Sequence, residues 1–412
     1  MKKIDKENRD TIFDPAMRTF FILATIAAIY YLVLWTAYYT FKLNLNFTSM
    51  SPLMWHAHEM LFGYSVAVIA GFLLTIERYW SGLVINKKSA LVLLLGLWIL
   101  ARVFLSLTLV TDISYKTGAV FDCLFLIVLT FRVLYPVIKT QNWEKSALAA
   151  HLAIIAASNV LFYLGVAGVL PNGQRWGIYS ALYIVISIIV LMGRRMIPIF
   201  IRNGLKFTFE PKNRRSIDIL SVVFFLLFYF VEVFFVNVKL ASIIAGVLAV
   251  IYSIRLYGWY SNGIWGKPML WVLFVAYSWI AVGFGLKFLS LYTAIPQMPA
   301  LHSFVYGGIG MMTIGFMARA TLGHTGRNVF EPPGIVFWIF SILLLGSIVR
   351  VVVPIVDMSH YIVWIATAQV LWILAFSIFA VVFLPMLWNP PLDNGMGVSH
   401  AHSRMREEVA RT

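Results

Sequence analysis

Three observations place the chain in the all-α class, as a polytopic integral membrane protein with about twelve transmembrane helices. Hydrophobic residues make up 61% of its 412 residues and charged residues 12%. Soluble globular chains carry roughly 45–50% apolar and about 25% charged residues, so this chain lacks the polar surface to cover itself in water. Apolar runs near the ~20 residues needed to cross a bilayer recur along the whole sequence. Lys and Arg also fall mostly on one side of the resulting topology, as the loops of a cytoplasmic face do.

The predicted spans are 18–40, 55–76, 89–109, 115–138, 146–169, 176–200, 216–237, 240–259, 268–292, 299–321, 334–356 and 360–386. Short connections join them, so residues 1–390 read as a single membrane domain and 391–412 as a polar tail. No internal repeat stands out. The start, MKKIDKENRD, is polar for longer than a secretory n-region, and no small-residue cleavage site follows the first apolar run. With both termini on one side, that side collects 25 of the 32 Lys and Arg. The other side keeps Lys42, Arg102, Lys116, Arg175, Lys239, Lys287 and Arg350. Both termini are therefore expected in the cytoplasm, and the +15 net charge needs no nucleic acid. The single cysteine, Cys123, excludes an intramolecular disulfide, a CxxCH haem attachment and a cysteine-ligated iron–sulfur cluster. There is no GxxxxGK[ST] phosphate loop and no HExxH zinc motif.

Chemistry concentrates in the histidines. His56, His58, His302 and His360 fall at the outer ends of spans; His151 and His324 fall at the inner ends. His400 and His402 sit in the tail. A lone interfacial imidazole is ordinarily just hydrogen-bonded, which suffices for His151 and His360 singly. WHAHEM is denser: His56, His58 and Glu59 enter one helix, and neutral imidazole is the commonest transition-metal ligand. Two residues along a helix is about 200° of rotation, so His56 and His58 point to nearly opposite faces and serve different surroundings. His58 and His302 are expected to share depth and reach one iron or adjacent metals, with Arg102 or Lys287 beside them and His56 left for a second centre. His302 and His324 are about 33 Å apart along one helix at 1.5 Å per residue, too far for one metal. His324 would need an inner site, with His151, Arg319, Arg194 and Arg195 as candidate partners. Gly323-His324-Thr325-Gly326-Arg327 reads either as an anion-holding turn or as a helix stop. Arg102 and Asp122 lie at similar depth on consecutive helices, so an ion pair is expected, with a propionate as the rival partner of Arg102. Glu59, Asp122 and Glu232 are the sparse acidic groups available to move protons.

WHAHEMLFGYSVAVIAGFLLT and GGIGMMTIGFMARATLGHTGR, with RRMIPIF and LWILAR, resemble the sequence motifs of the NnrS family of haem- and copper-containing membrane proteins. The likeness extends over the whole layout. It departs at Ile76-Glu77-Arg78, where a more neutral stretch is expected, and at Tyr306, where a smaller residue would fit. The resemblance implies a multi-pass protein of the bacterial inner membrane that carries b-type haem (heme b) and copper and responds to nitric oxide. It implies His56, His58, His302 and His324 as metal ligands, with Arg102 and Arg319 as lesser candidates; it assigns no catalytic residue, and Glu59 and Tyr306 are the candidates this chain itself offers. It leaves open whether nitric oxide is reduced or removed otherwise, and whether the electron donor is a quinol or another redox protein. The alternative is a twelve-helix secondary transporter without haem, against which stand the lack of a recognisable inverted repeat and the few midplane charges.

The topology is open to direct measurement. Reporter fusions in the loop at 140–145 should report the cytoplasm and those at 170–176 the outer side; the reverse pattern would reject the orientation.

Overall fold

A computed structural model describes residues 16–47, 50–81, 88–205 and 207–392 of the chain. The first fifteen residues and nearly all of the tail, including His400 and His402, lie outside the described residues. Within them there are twelve helices long and apolar enough to cross a membrane: α1 (Met17–Tyr39), α2 (Pro52–Glu77), α3 (Lys88–Leu107), α4 (Tyr115–Thr140), α5 (Trp143–Val166), α6 (Gly173–Gly204), α7 (Arg215–Phe235), α8 (Val238–Trp259), α9 (Pro268–Leu289), α10 (Gln297–His324), α11 (Ile335–Val356) and α12 (Tyr361–Trp388). Each coincides with a predicted span to within a few residues. The protein is an all-α, multi-pass membrane protein.

The helices close into a ring with a threefold plan. α1 packs on α2, α5 on α6 and α9 on α10; α3 on α4, α7 on α8 and α11 on α12; α4 on α5, α8 on α9 and α12 on α1. α2, α6 and α10, the second helix of each set of four, meet in the middle. α6 touches both of the others, and α2 meets α10 through the Phe72–Phe316 rings, with centroids 5.9 Å apart. Burial agrees with this plan. In α2 and in α10 78% of the most apolar window is buried and in α6 61%, whereas eight of the other nine helices reach 50% or less.

This packing reveals an internal repeat that the linear reading missed. Without a gap, Pro52, Met54, His58, Gly63, Gly71 and Phe72 correspond to Pro296, Met298, His302, Gly307, Gly315 and Phe316. The backbone repeats too. Each of these two helices has a π-helical segment directly after the matched histidine, Glu59–Ser65 in α2 and Ser303–Gly310 in α10. Such segments open the ordinary i→i−4 ladder and occur often at functional sites. The freed carbonyls find side-chain donors: Trp98 Nε1 donates to Gly63 O at 3.2 Å and the Ser65 hydroxyl to Met60 O at 2.8 Å. α6 holds the third inner place without a π segment.

The basic end of the bundle is tied by charge and backbone. Arg18 at the start of α1 donates to Leu387 O (3.1 Å) and Asn389 O (2.8 Å) at the end of α12, satisfying carbonyls that a helix terminus leaves open. The Gly323–Arg327 turn is a helix stop. Gly326 has φ +75° and the Arg327 amide donates to Leu322 O at 2.9 Å, the six-to-one bond of a Schellman cap.

Gly346 of α11 shows how tight the interior is. A Cβ there would overlap the Tyr306 hydroxyl, which donates to Ala368 O at 2.8 Å. Gly346→Ala should therefore cost about 1–3 kcal/mol by overpacking. Gly96→Ala, which meets nothing within 4 Å, should be neutral or stabilising by up to ~1 kcal/mol. Thermal unfolding of the two purified variants checks the contrast; equal midpoints would refute it.

Candidate functional site

The two faces of α2 lead to two different environments. His58 is 1% exposed and points toward α4 and α5. Its Nδ1 lies 2.9 Å from Glu59 Oε1, and its Nε2 lies 3.0 Å from Asn159 Oδ1 and 3.3 Å from Asp122 Oδ2. Arg102 of α3 donates to Glu59 Oε2 at 2.8 Å and to Asp122 Oδ1. Asn159 Nδ2 (2.9 Å) and the Tyr163 hydroxyl (3.0 Å) donate to Asp122 Oδ2. Both ring nitrogens of His58 thus face oxygen acceptors. The Asn159 orientation is fixed by its bond to Asp122, so the network is satisfied when His58 carries both protons. Two cations then balance two carboxylates. Gly63 makes the approach possible, because a Cβ there would sit 3.0 Å from Tyr31, 3.2 Å from Arg102 and 3.3 Å from Glu59.

This corrects the expectation that His58 and His302 face one iron. A doubly protonated imidazole has no lone pair for a metal, and His58 lies on the far side of α2 from His302. The expected Arg102–Asp122 ion pair is present, which commits Arg102 away from any propionate. Glu59 is held in the same network.

The opposite face of α2 carries His56, whose ring stacks on Trp35 of α1 (centroids 4.4 Å, interplanar angle 13°). Its Nδ1 is buried without a hydrogen-bond partner. His56 is within electrostatic reach of Arg350 of α11 and of His302. His302 Nδ1 lies 2.9 Å from Met298 O, and its Nε2 lies 2.8 Å from Arg350 Nη2. A guanidinium can only donate, so Nε2 accepts and the ring proton sits on Nδ1, donated to the carbonyl. A carbonyl anchor of this kind is also what fixes the tautomer of a metal-ligating histidine, but here the Nε2 lone pair is taken by Arg350. Arg350 is 9% exposed and has no carboxylate partner among the described residues. Arg350 thus sits directly on His302, and its charge also reaches His56.

The remaining candidates take other places. Tyr306 is buried on Ala368 O and stacks edge-on against Trp372 (4.9 Å). Lys287 pairs with Glu232 at 2.8 Å, which commits both. His151 Nδ1 lies 2.5 Å from Ala147 O, and its Nε2 lies 2.9 Å from the Ser187 hydroxyl, so its lone pair is taken. His324 ends α10 and is partly buried. Arg319 lies 3.7 Å over the Phe200 ring, and Arg194 bonds Asp218 at 2.5 Å. His360 is exposed and lies 3.0 Å from Asp357. Hydrogen bonds from Ser359, His360 and Trp364 hold that Asp357 carboxyl well below the usual carboxylate range. Among the described residues no three of His, Cys, Asp and Glu converge as a metal site.

Sequence reasoning passed over Trp35, Arg350 and Asn159. Arg350 had a detectable signal, since it stands in the helix after the His302 helix as Arg102 stands in the helix after the His58 helix. Trp35 and Asn159 carry none beyond an apolar run.

The ion network predicts a graded stability series. Arg102→Leu leaves two buried carboxylates against one imidazolium and should cost about 3–5 kcal/mol, while Arg102→Lys keeps one charge and should cost less. Thermal unfolding in detergent reads both; an unchanged midpoint in Arg102→Leu would show the network to be energetically idle.

A family model described as NnrS protein matches residues 11–390. Comparison with curated proteins gives no match. With that coverage, a twelve-span bundle and both histidine-bearing motifs on its inner helices, the chain belongs to the NnrS family of membrane proteins of the nitric oxide response.

Proposed function

We propose that the protein holds b-type haem at the outer ends of α2 and α10, through His56 and His302, and uses it to capture nitric oxide in the bacterial inner membrane, relieving nitrosative stress. The observation that carries this reading is a cluster of two imidazoles and a buried guanidinium that has no carboxylate beside it. His302 has Nδ1 anchored on Met298 O, and its Nε2 accepts from Arg350, which would have to turn to a propionate for that lone pair to reach iron. His56 has a buried, unpartnered Nδ1. Arg350 is a buried cation without a carboxylate. Two imidazoles and a guanidinium without a carboxylate fit a macrocycle that brings iron and carboxylates together, so the donor set suits haem. Haem iron, when bound, supplies a centre that takes a diatomic gas and exchanges one electron.

The residues of this chain supply the rest. Met298 O fixes the tautomer and orientation of His302. Arg350 offers its guanidinium to a propionate. Trp35 covers one face of His56 and keeps water from it. The asymmetry between an anchored His302 and an unanchored His56 makes His56 the weaker attachment. Proton delivery is less well provided: Glu59 is held by Arg102 and His58 on the other face of α2, and Tyr306 donates to a carbonyl. Capture of nitric oxide, with a quinol or another redox protein as electron source, is therefore favoured over turnover by a nitric oxide reductase-type reaction. Among the described residues no three of His, Cys, Asp and Glu converge, and no residue is assigned to copper.

Pyridine-haemochrome content and visible spectra of purified protein test this. Wild type from haem-replete cells should show a Soret band that shifts with nitric oxide. His302→Ala should lose nearly all haem, His56→Ala and Arg350→Gln should lose part, and His58→Gln should keep haem stoichiometry while unfolding at lower temperature. Full haem in both His56→Ala and His302→Ala would place the cofactor elsewhere. A colourless wild type would favour the transporter reading instead.

A further inference from the structure

At the basic face, opposite the histidine pair, a narrow, partly open recess lies between the end of α6, the start of α9 and the chain after α10. Its walls are apolar, with Leu270, Val329 and Phe330 among them, and it contains two cations, Arg319 and Lys267, and no carboxylate. Arg319 has its guanidinium carbon 3.7 Å over the Phe200 ring and 5.9 Å from that of Phe330. These rings fix its plane, and cation–π attraction stabilises the charge there. Neither ring supplies an acceptor, and Arg319 Nη1 is buried with no hydrogen-bond partner. An orphaned N–H on a buried charged group is costly and rare enough in folded proteins to call for an explanation. Among the described residues Lys267 reaches Phe330 O alone, at 3.4 Å, which leaves donors of its ammonium unused there. Glu331, the nearest acid in sequence, takes a bond from Asn328 at 3.4 Å instead.

We infer that this recess binds a phosphate group, with Arg319 as the buried donor and Lys267 at the rim. A planar guanidinium matches phosphate oxygens two at a time. The apolar walls beside two cations suit the phosphate of an anionic lipid headgroup, whose acyl portion continues along the bundle; free phosphate offers the same oxygens. The site faces the opposite membrane surface from His56 and His302 and stands independently of haem.

The test uses the full chain, purified and reconstituted, with two probes. Native mass spectrometry measures retention of phosphatidylglycerol against phosphatidylcholine, and thermal unfolding measures the response to inorganic phosphate against chloride. Arg319→Gln should weaken whichever probe binds wild type by about tenfold, the loss of one or two charge-assisted hydrogen bonds. Lys267→Gln should weaken it less. A loss confined to phosphatidylglycerol identifies a lipid headgroup; a loss of the phosphate response identifies the free anion. If both variants bind both probes as wild type does, or if wild type prefers neither probe to its control, the assignment is wrong. Should Arg319→Gln fail to fold, Lys267→Gln at the rim decides alone by the same readings.

Discussion

Two carboxylates, a guanidinium and an imidazole meet within the apolar bundle, and the arrangement of α2 depends on how they balance. Each charge alone would be prohibitive at that depth. Together, Glu59, Asp122, Arg102 and His58 satisfy one another with help from Asn159 and Tyr163. They bind α2 to α3, α4 and α5, from three separate stretches of chain. The cost of leaving any one unpaired is what fixes the rotation of α2 about its axis. With that rotation fixed, His56 on the other face has to look toward α1, α10 and α11.

The π segment extends this control. It begins at Glu59, directly after His58, and shifts the register of the face that runs down the helix. Side-chain donors from Trp98 and Ser65 take up carbonyls that the opened ladder frees. α10 repeats the device after His302. The two helices share their glycines and meet at Phe72 and Phe316, so they are versions of one element placed in one inner layer. They have diverged in chemistry: α2 uses its matched histidine as a charged member of an ion network, whereas α10 keeps His302 neutral with a lone pair directed at Arg350.

His58 and His302 differ in their hydrogen-bond accounting. A ring between two acceptors is a cation; a ring between a carbonyl and a guanidinium is a neutral base. Likewise, Arg102, Arg132, Arg194, Arg255 and Lys287 each contact a carboxylate. Arg350 and Arg319, at opposite ends of α10, have no such contact among the described residues. Ligand binding at either end is attractive because it would supply the negative charge that the protein itself withholds.

Much of this was legible in the sequence. Twelve spans follow from composition and run length, because a bilayer demands apolar segments of a given length whatever their neighbours. The opposite facing of His56 and His58 follows from helix geometry alone, and the Arg102–Asp122 pair from depth and the cost of a lone charge. The motifs also located the histidine-bearing helices that belong to the family. Tertiary structure alone decided which histidine meets which partner. Depth places His56, His58, His302 and His360 in one layer, but layers do not specify azimuth. That is set by the π segments, by the glycine that lets Arg102 approach Glu59, and by the ring of helix contacts that puts α11 beside α10. The recess at Arg319 was equally hidden, since its walls come from α6, α9 and the chain after α10 together, and no single stretch of sequence records how they meet.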